Sequence, residues 1–136
     1  MARTLHDDMA DDFAAILAAD EFAEDGVYLP GHGLREVELR AIVKAIDTDQ
    51  QNRPSELVEV EAIEVRISND PDLVAQGVTC GGVERPRIGA GFVRAGDQID
   101  DAYGLVKVLG HNSHSWRLRF ERETPTRIGT GNIKTS

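Results

Sequence analysis

Two imidazoles three residues apart, His111 and His114, are the nearest this chain comes to a metal-ligating pair, with Cys80 or His32 as further candidate ligands. A structural zinc site gathers four close nitrogen and sulfur ligands, and the sequence holds a single thiol. The segment from Gly110 to Ser115 also reads as a hairpin turn ahead of a strand with Trp116, Leu118 and Phe120, and turns carry polar residues for conformational reasons. The turn is the simpler reading, and no metal or cofactor is expected.

The carboxylates point the same way. Asp7, Asp8, Asp11 and Asp12, like Asp100 and Asp101, offer oxygen ligands to a hard cation. Neither group has the alternating ligands and closing Glu of an EF-hand loop. Cys80 precedes Gly81-Gly82 and reads as an exposed thiol, with no helix N-terminus or basic neighbour assigned beside it to favour the thiolate. Gly89-Ala90-Gly91 neither opens a helix nor precedes a Lys-Ser/Thr pair, so it does not read as a phosphate cradle. With no Ser-His-Asp or nucleophile-elbow signature either, the chain is not expected to be an enzyme.

The elements that must position these residues are mostly strands. Leu5, Met9, Phe13, Ile16 and Leu17 recur at helical spacing and predict an amphipathic helix over about 5–19, its aspartates placed in the half where the helix dipole favours negative charge. Asp25-Gly26 is expected to break that helix ahead of a strand at Val27 to Leu29. Pro30 to Gly33 reads as a turn, and Leu34 to Ile46 as a longer strand in which Val37, Leu39, Ala41 and Val43 alternate with Glu36, Glu38, Arg40 and Ile42. A polar loop follows over Asp47 to Ser55. In the next strand the apolar register jumps from Val58, Val60 and Ala62 to Ile63, Val65 and Ile67, which predicts a β-bulge near Ala62.

Asn69-Asp70-Pro71 closes that strand, and Asp72 to Gln76 reads as one helical turn. The glycine-rich connection 77–91 is expected to be mobile or to bind a partner. Gly96-Asp97 and Gly110 mark turns between three last strands that end near Phe120, and the tail 123–136 is expected to fray. The whole predicts a single, mainly β domain, a small antiparallel β-barrel over about 27–121 with an N-terminal amphipathic helix.

At 136 residues the chain suffices for one core. Its formal charge of −9 is uneven, with 6 basic against 16 acidic residues through Ser68 and 9 against 8 afterwards. No basic stripe is evident, which disfavours sequence-specific nucleic-acid binding. The acidity serves solubility, or forms a face that repels passing nucleic acid or meets a basic partner. The lone cysteine precludes an intrachain disulfide, and no run approaches the roughly 20 apolar residues of a membrane span. A soluble protein made in the cytoplasm is expected.

The acidic helix, the strands from Leu34 to Ile67, the glycine-rich connection and the runs FVRAGDQI, YGLVKVLG and WRLRF together resemble the head-tail joining proteins of long-tailed bacteriophages, also called head completion or stopper proteins of the lambda-type neck. The match is best from Val93 to Phe120, and the extension from Glu123 to Ser136 has no counterpart in that pattern. The resemblance implies a structural virion protein without catalysis, arranged as a homo-oligomeric ring that joins the portal or adaptor side of a DNA-filled head to the tail. The isolated chain is either monomeric or assembled. It also implies that flexible segments order on assembly, with Leu5, Met9, Val78, Gly81, Gly82, Arg85 and Arg87 as partner contacts. On that basis, Ala at Gly81 and Gly82 should impair assembly more than folding. The alternatives are another phage tail or assembly β-barrel and, third, a small metalloprotein using His111, His114 and Cys80.

Overall fold

The computed structural model describes residues 5–31, 33–46 and 58–125, with side chains described over 11–46 apart from His32 and over 60–123. The expected loop over Asp47 to Ser55, the tail from residue 126, His32 and the side chains of Leu5 and Met9 lie outside the described residues. The elements are α1 (Leu5–Ala18), β1 (Glu24–Leu29), β2 (Val37–Ile46), β3 (Val58–Ser68), β4 (Val74–Ala75), β5 (Val78–Thr79), β6 (Gly91–Arg94), β7 (Tyr103–His111) and β8 (Ser115–Pro125).

Six strands close into an antiparallel barrel in the order β1-β2-β3-β8-β7-β6, with β6 returning to β1. Closure removes most exposed strand edges. The mainly β fold and the N-terminal helix agree with the sequence expectation. Tyr28, Leu39, Ala41, Ile63, Val65, Ile67, Phe92, Tyr103, Leu105, Leu118 and Phe120 fill the interior. They come from alternate positions along each strand because successive side chains point to opposite faces. The Phe92 and Phe120 rings meet at 5.4 Å and a tilt of 46° in the middle of the barrel.

The helix has ended at Ala18, and β1 begins at Glu24 rather than Val27, so that it contains Gly26. Gly26 pairs with Leu39 on one side and Arg94 on the other inside β1. Its missing side chain leaves room for the Phe92 ring, since a Cβ there would lie 2.6 Å from Phe92 Cζ. Strand β2 begins at Val37 rather than Leu34.

The β-bulge near Ala62 is absent. β3 pairs with β8 in unbroken register from Val58↔Pro125 to Ser68↔Ser115, and with β2 from Ile42↔Arg66 to Ile46↔Ala62. The apolar residues change face instead: Ile63, Val65 and Ile67 point inward, whereas Val60 and Ala62 belong to the outer face, where Ala62 is also buried. The register irregularities lie in β7, between Leu105 and Lys107 and between Val108 and Gly110.

The expected helical turn over Asp72 to Gln76 is a β-hairpin. Gln76 and Gly77 both take positive φ, 51° and 79°, and join β4 to β5 through the mirror-image turn that suits strand twist. Gly110 lies inside β7, and the last hairpin turns at Asn112 to His114. There Asn112 Oδ1 accepts hydrogen bonds from the backbone N–H groups of His114 and Ser115, at 2.9 and 2.8 Å. β8 runs past Phe120 to Pro125, so the first residues of the expected tail are strand.

A second, smaller core forms outside the barrel. Phe13 and Leu17 of α1 bury their side chains with Ala23 and Cys80 against Ile42, Leu73, Ala75 and Val78. Phe13 and Leu17 are four residues apart and share one helix face, which is why this stripe meets the barrel.

Candidate functional site

Strand polarity gives the barrel two distinct ends. At one, the Glu61 end, β1 and β7 begin while β2, β6 and β8 finish; the Tyr28 end is opposite. The Glu61 end is closed by charged side chains. Arg122 Nε donates to Glu61 Oε1 at 3.0 Å and its Nη1 to the Asp101 carbonyl at 2.7 Å. The guanidinium lies 4.2 Å from the centre of the Tyr103 ring, and the Tyr103 hydroxyl donates to Glu61 Oε2 at 3.2 Å. Beside them Arg94 grips Glu24 through two bonds of 3.1 and 2.9 Å.

Hydrogen bonds and burial shift the acid–base behaviour of this cluster. The hydrogen bond from Arg122 holds the Glu61 carboxyl below its ordinary range against the opposing effect of burial. Burial pushes the Tyr103 phenol up, so it stays protonated at neutral pH. The geometry ties the turn carrying Asp101 to β3 and β8.

On the outer wall, Arg40 secures α1. Its Nε donates to the Leu17 carbonyl at 2.8 Å, Nη2 to the carbonyls of Ala19 and Ala23 at 3.2 and 3.3 Å, and the same guanidinium pairs with Asp20 at 2.7 Å and Asp25 at 3.0 Å. The last turn of α1 carries no basic residue of its own. Arg40 supplies from β2 the positive charge and donors that a helix C-terminus lacks.

The connection after β3 is woven into the fold. Val83 N–H donates to the Ser68 carbonyl at 2.9 Å, Cys80 N–H to that of Leu73 at 2.9 Å, and Arg40 N–H to that of Cys80 at 2.7 Å. Gly81 and Gly82 are buried because backbone passes directly against them. A Cβ on Gly82 would stand 2.4 Å from the Ser68 carbonyl oxygen, and one on Gly81, whose φ is +66°, 2.9 Å from that of Glu38. These glycines therefore serve close packing, and the described conformation leaves neither of them facing outward.

Among the expected partner contacts, Val78 packs half-buried against the second core, while Arg85 and Arg87 stand exposed on the segment leading to β6.

Cys80 is fully buried, contrary to the expected exposed thiol, because the chain folds back under α1 at this point. Burial pushes its thiol pKa up, away from the reactive thiolate. His111 meets the Trp116 ring at 5.1 Å and a tilt of 43°, whereas His114 packs against Phe13 at 5.6 Å. No group of three His, Cys, Asp or Glu side chains able to hold a metal ion occurs among the described residues.

An open groove of about 460 Å³ runs along the outer wall between Asp25, Glu38, Thr79, Val93 and Asp97. Two of its carboxylates already face cations, Asp25 on Arg40 and Asp97 on Arg122. Large apolar side chains stand exposed at several places among the described residues, with Ile16 on α1, Val74 in β4, Val106 and Val108 on β7, and others towards the two barrel ends. Phe22 and Ile99 are 63% and 57% exposed beside the start of β1 and the β6–β7 turn, and Leu34 and Ile88 are 57% and 66% exposed at the Tyr28 end.

Comparisons with protein-family models, with curated proteins and with solved structures find no match for this chain.

Proposed function

We propose that this chain is a structural virion-assembly protein, a phage or prophage neck component that joins the portal side of a DNA-filled head to the tail. The observation that carries the reading is the pair of apolar-tipped ends. Phe22 and Ile99 mark one end of the barrel, and Leu34 and Ile88 the other. A protein that bridges two partners needs a contact surface at each end, and exposed large apolar groups are a common anchor for such contacts.

The architecture fits this role. The barrel core, the Arg122–Glu61 lock and the Arg40 anchor make a rigid spacer. In the virion, copies of the chain form a ring whose members contact portal or adaptor subunits at one end and tail subunits at the other. The protein is made in the host cytoplasm and ends in the neck.

Affinity capture of the full chain from phage-infected cells tests the reading. Recovery of both portal and tail components supports it, and recovery of neither from cells that assemble virions overturns it. Phe22→Ser and Ile88→Ser divide the result, since each should lose the partner at its own end while leaving the fold intact.

A further inference from the structure

Arg66 of β3 and Arg117 of β8 are directly opposed across the strand pair and project from the outer wall. Neither forms an ion pair with any described residue. Like charges facing each other across a ladder cost stability unless an anion lies between them. Arg66 is constrained as well. Its guanidinium carbon lies 5.7 Å from the centre of the Phe13 ring, and its Nε is buried with no hydrogen-bond partner.

Arg117 lies along Gly110, its cross-strand partner, where a Cβ would make an ordinary contact at 3.9 Å with the Arg117 Nε and Nη2 atoms. The two arginines and His111, Asn112 and Ser115 surround a pocket of about 300 Å³. Glu64 stands at its rim without an ion pair to either arginine.

We propose that Arg66 and Arg117 form a receptor for a carboxylate presented by an acidic protein segment. Both arginines line the pocket, and the oxygens of a carboxylate are each able to accept charge-assisted bonds from a guanidinium. A nucleic-acid backbone is disfavoured because it needs a track of cations, whereas Arg66 and Arg117 are the only Arg or Lys side chains among the described residues lining this pocket. The chemistry of the receptor stands apart from the neck assignment, which bears only on which protein supplies the acidic segment.

Titration of the isotope-labelled full chain with a short poly-aspartate peptide, followed by NMR at the Arg Nε–H groups and the His111 and Asn112 amides, tests the proposal. Saturable shifts confined to Arg66, Arg117 and the hairpin are expected. Arg117→Gln should weaken the peptide by more than about tenfold, and Glu64→Gln should tighten it. Arg117 is exposed, so its replacement leaves the barrel intact, as the Trp116 near-UV signal will report. No shift with the peptide, inorganic phosphate binding alone as an adventitious ion only, or tighter binding of a single-stranded oligonucleotide would each overturn it.

Discussion

The Arg40 guanidinium on β2 reaches the backbone carbonyl of Leu17 at 2.8 Å, across 23 residues of sequence, and so fastens the end of α1 to the barrel wall. The same side chain serves the carbonyls of Ala19 and Ala23 and the carboxylates of Asp20 and Asp25. These contacts make Arg40 the hinge between the barrel and its outer core.

Replacing Arg40 by Ala should therefore release α1 before the barrel. Stranding buried carbonyls costs about 1 to 3 kcal/mol each when nothing replaces the donor. Water will satisfy part of that, so a loss of about 2 to 4 kcal/mol is expected. Denaturant unfolding gives the total, and hydrogen exchange should show α1 amides exposed with those of β3 and β8 still protected. Uniform loss of protection would show that the helix and barrel unfold as one unit.

Gly82→Ala should destabilise the fold itself, by more than about 1 kcal/mol, because its Cβ would overlap the Ser68 carbonyl. Gly81→Ala adds strain at positive φ to a similar contact with Glu38. This revises the expectation that the two glycines matter more to assembly than to folding. Thermal unfolding of the isolated variants decides the matter, and unchanged stability would restore the earlier view.

The Glu61–Arg122 contact makes a signed prediction in acid. Because the folded state holds the Glu61 carboxyl below its ordinary value, folding binds this proton more weakly than the unfolded chain does. The contribution is present above the ordinary carboxylate pKa and is lost as pH falls through the lowered one. Stability of wild type minus Glu61→Gln should be positive at neutral pH and shrink towards zero below roughly pH 4. The Glu61 side chain is 48% exposed, so the effect will be modest and reduced by salt. A difference independent of pH would dissociate it from this ion pair.

Cys80 should resist thiol reagents in the native protein and react at the rate at which the α1 core opens. Its burial both blocks access and disfavours the thiolate. Arg40→Ala should accelerate labelling strongly, since Arg40 fastens the helix that covers the thiol. Fast native labelling would mean that the second core opens readily.

The barrel was legible in sequence where period-two patterning met turn residues, as in β2 and the last hairpin, and α1 where Phe13 and Leu17 share a helical face. What escaped depends on contacts distant in sequence. Arg40 occupies an outward strand position that ordinarily faces solvent, and only the packed helix buries it. Cys80 and its glycines read as an exposed, mobile loop because glycine permits both mobility and tight backbone contact. The jump at Ala62 looked like a bulge because a change of buried face and an inserted residue leave the same mark on the apolar pattern. Arg66 and Arg117 are 51 residues apart in sequence, and only the β3–β8 register places them side by side.

The most direct measurement of the joining role adds the purified, folded protein to cognate DNA-filled, tailless phage heads and scores their ability to accept tails. Binding to the heads and a gain of infectivity are expected, both lost with Phe22→Ser or Ile88→Ser at unchanged fold stability. Folded wild-type protein that neither binds the heads nor makes them infectious would contradict it.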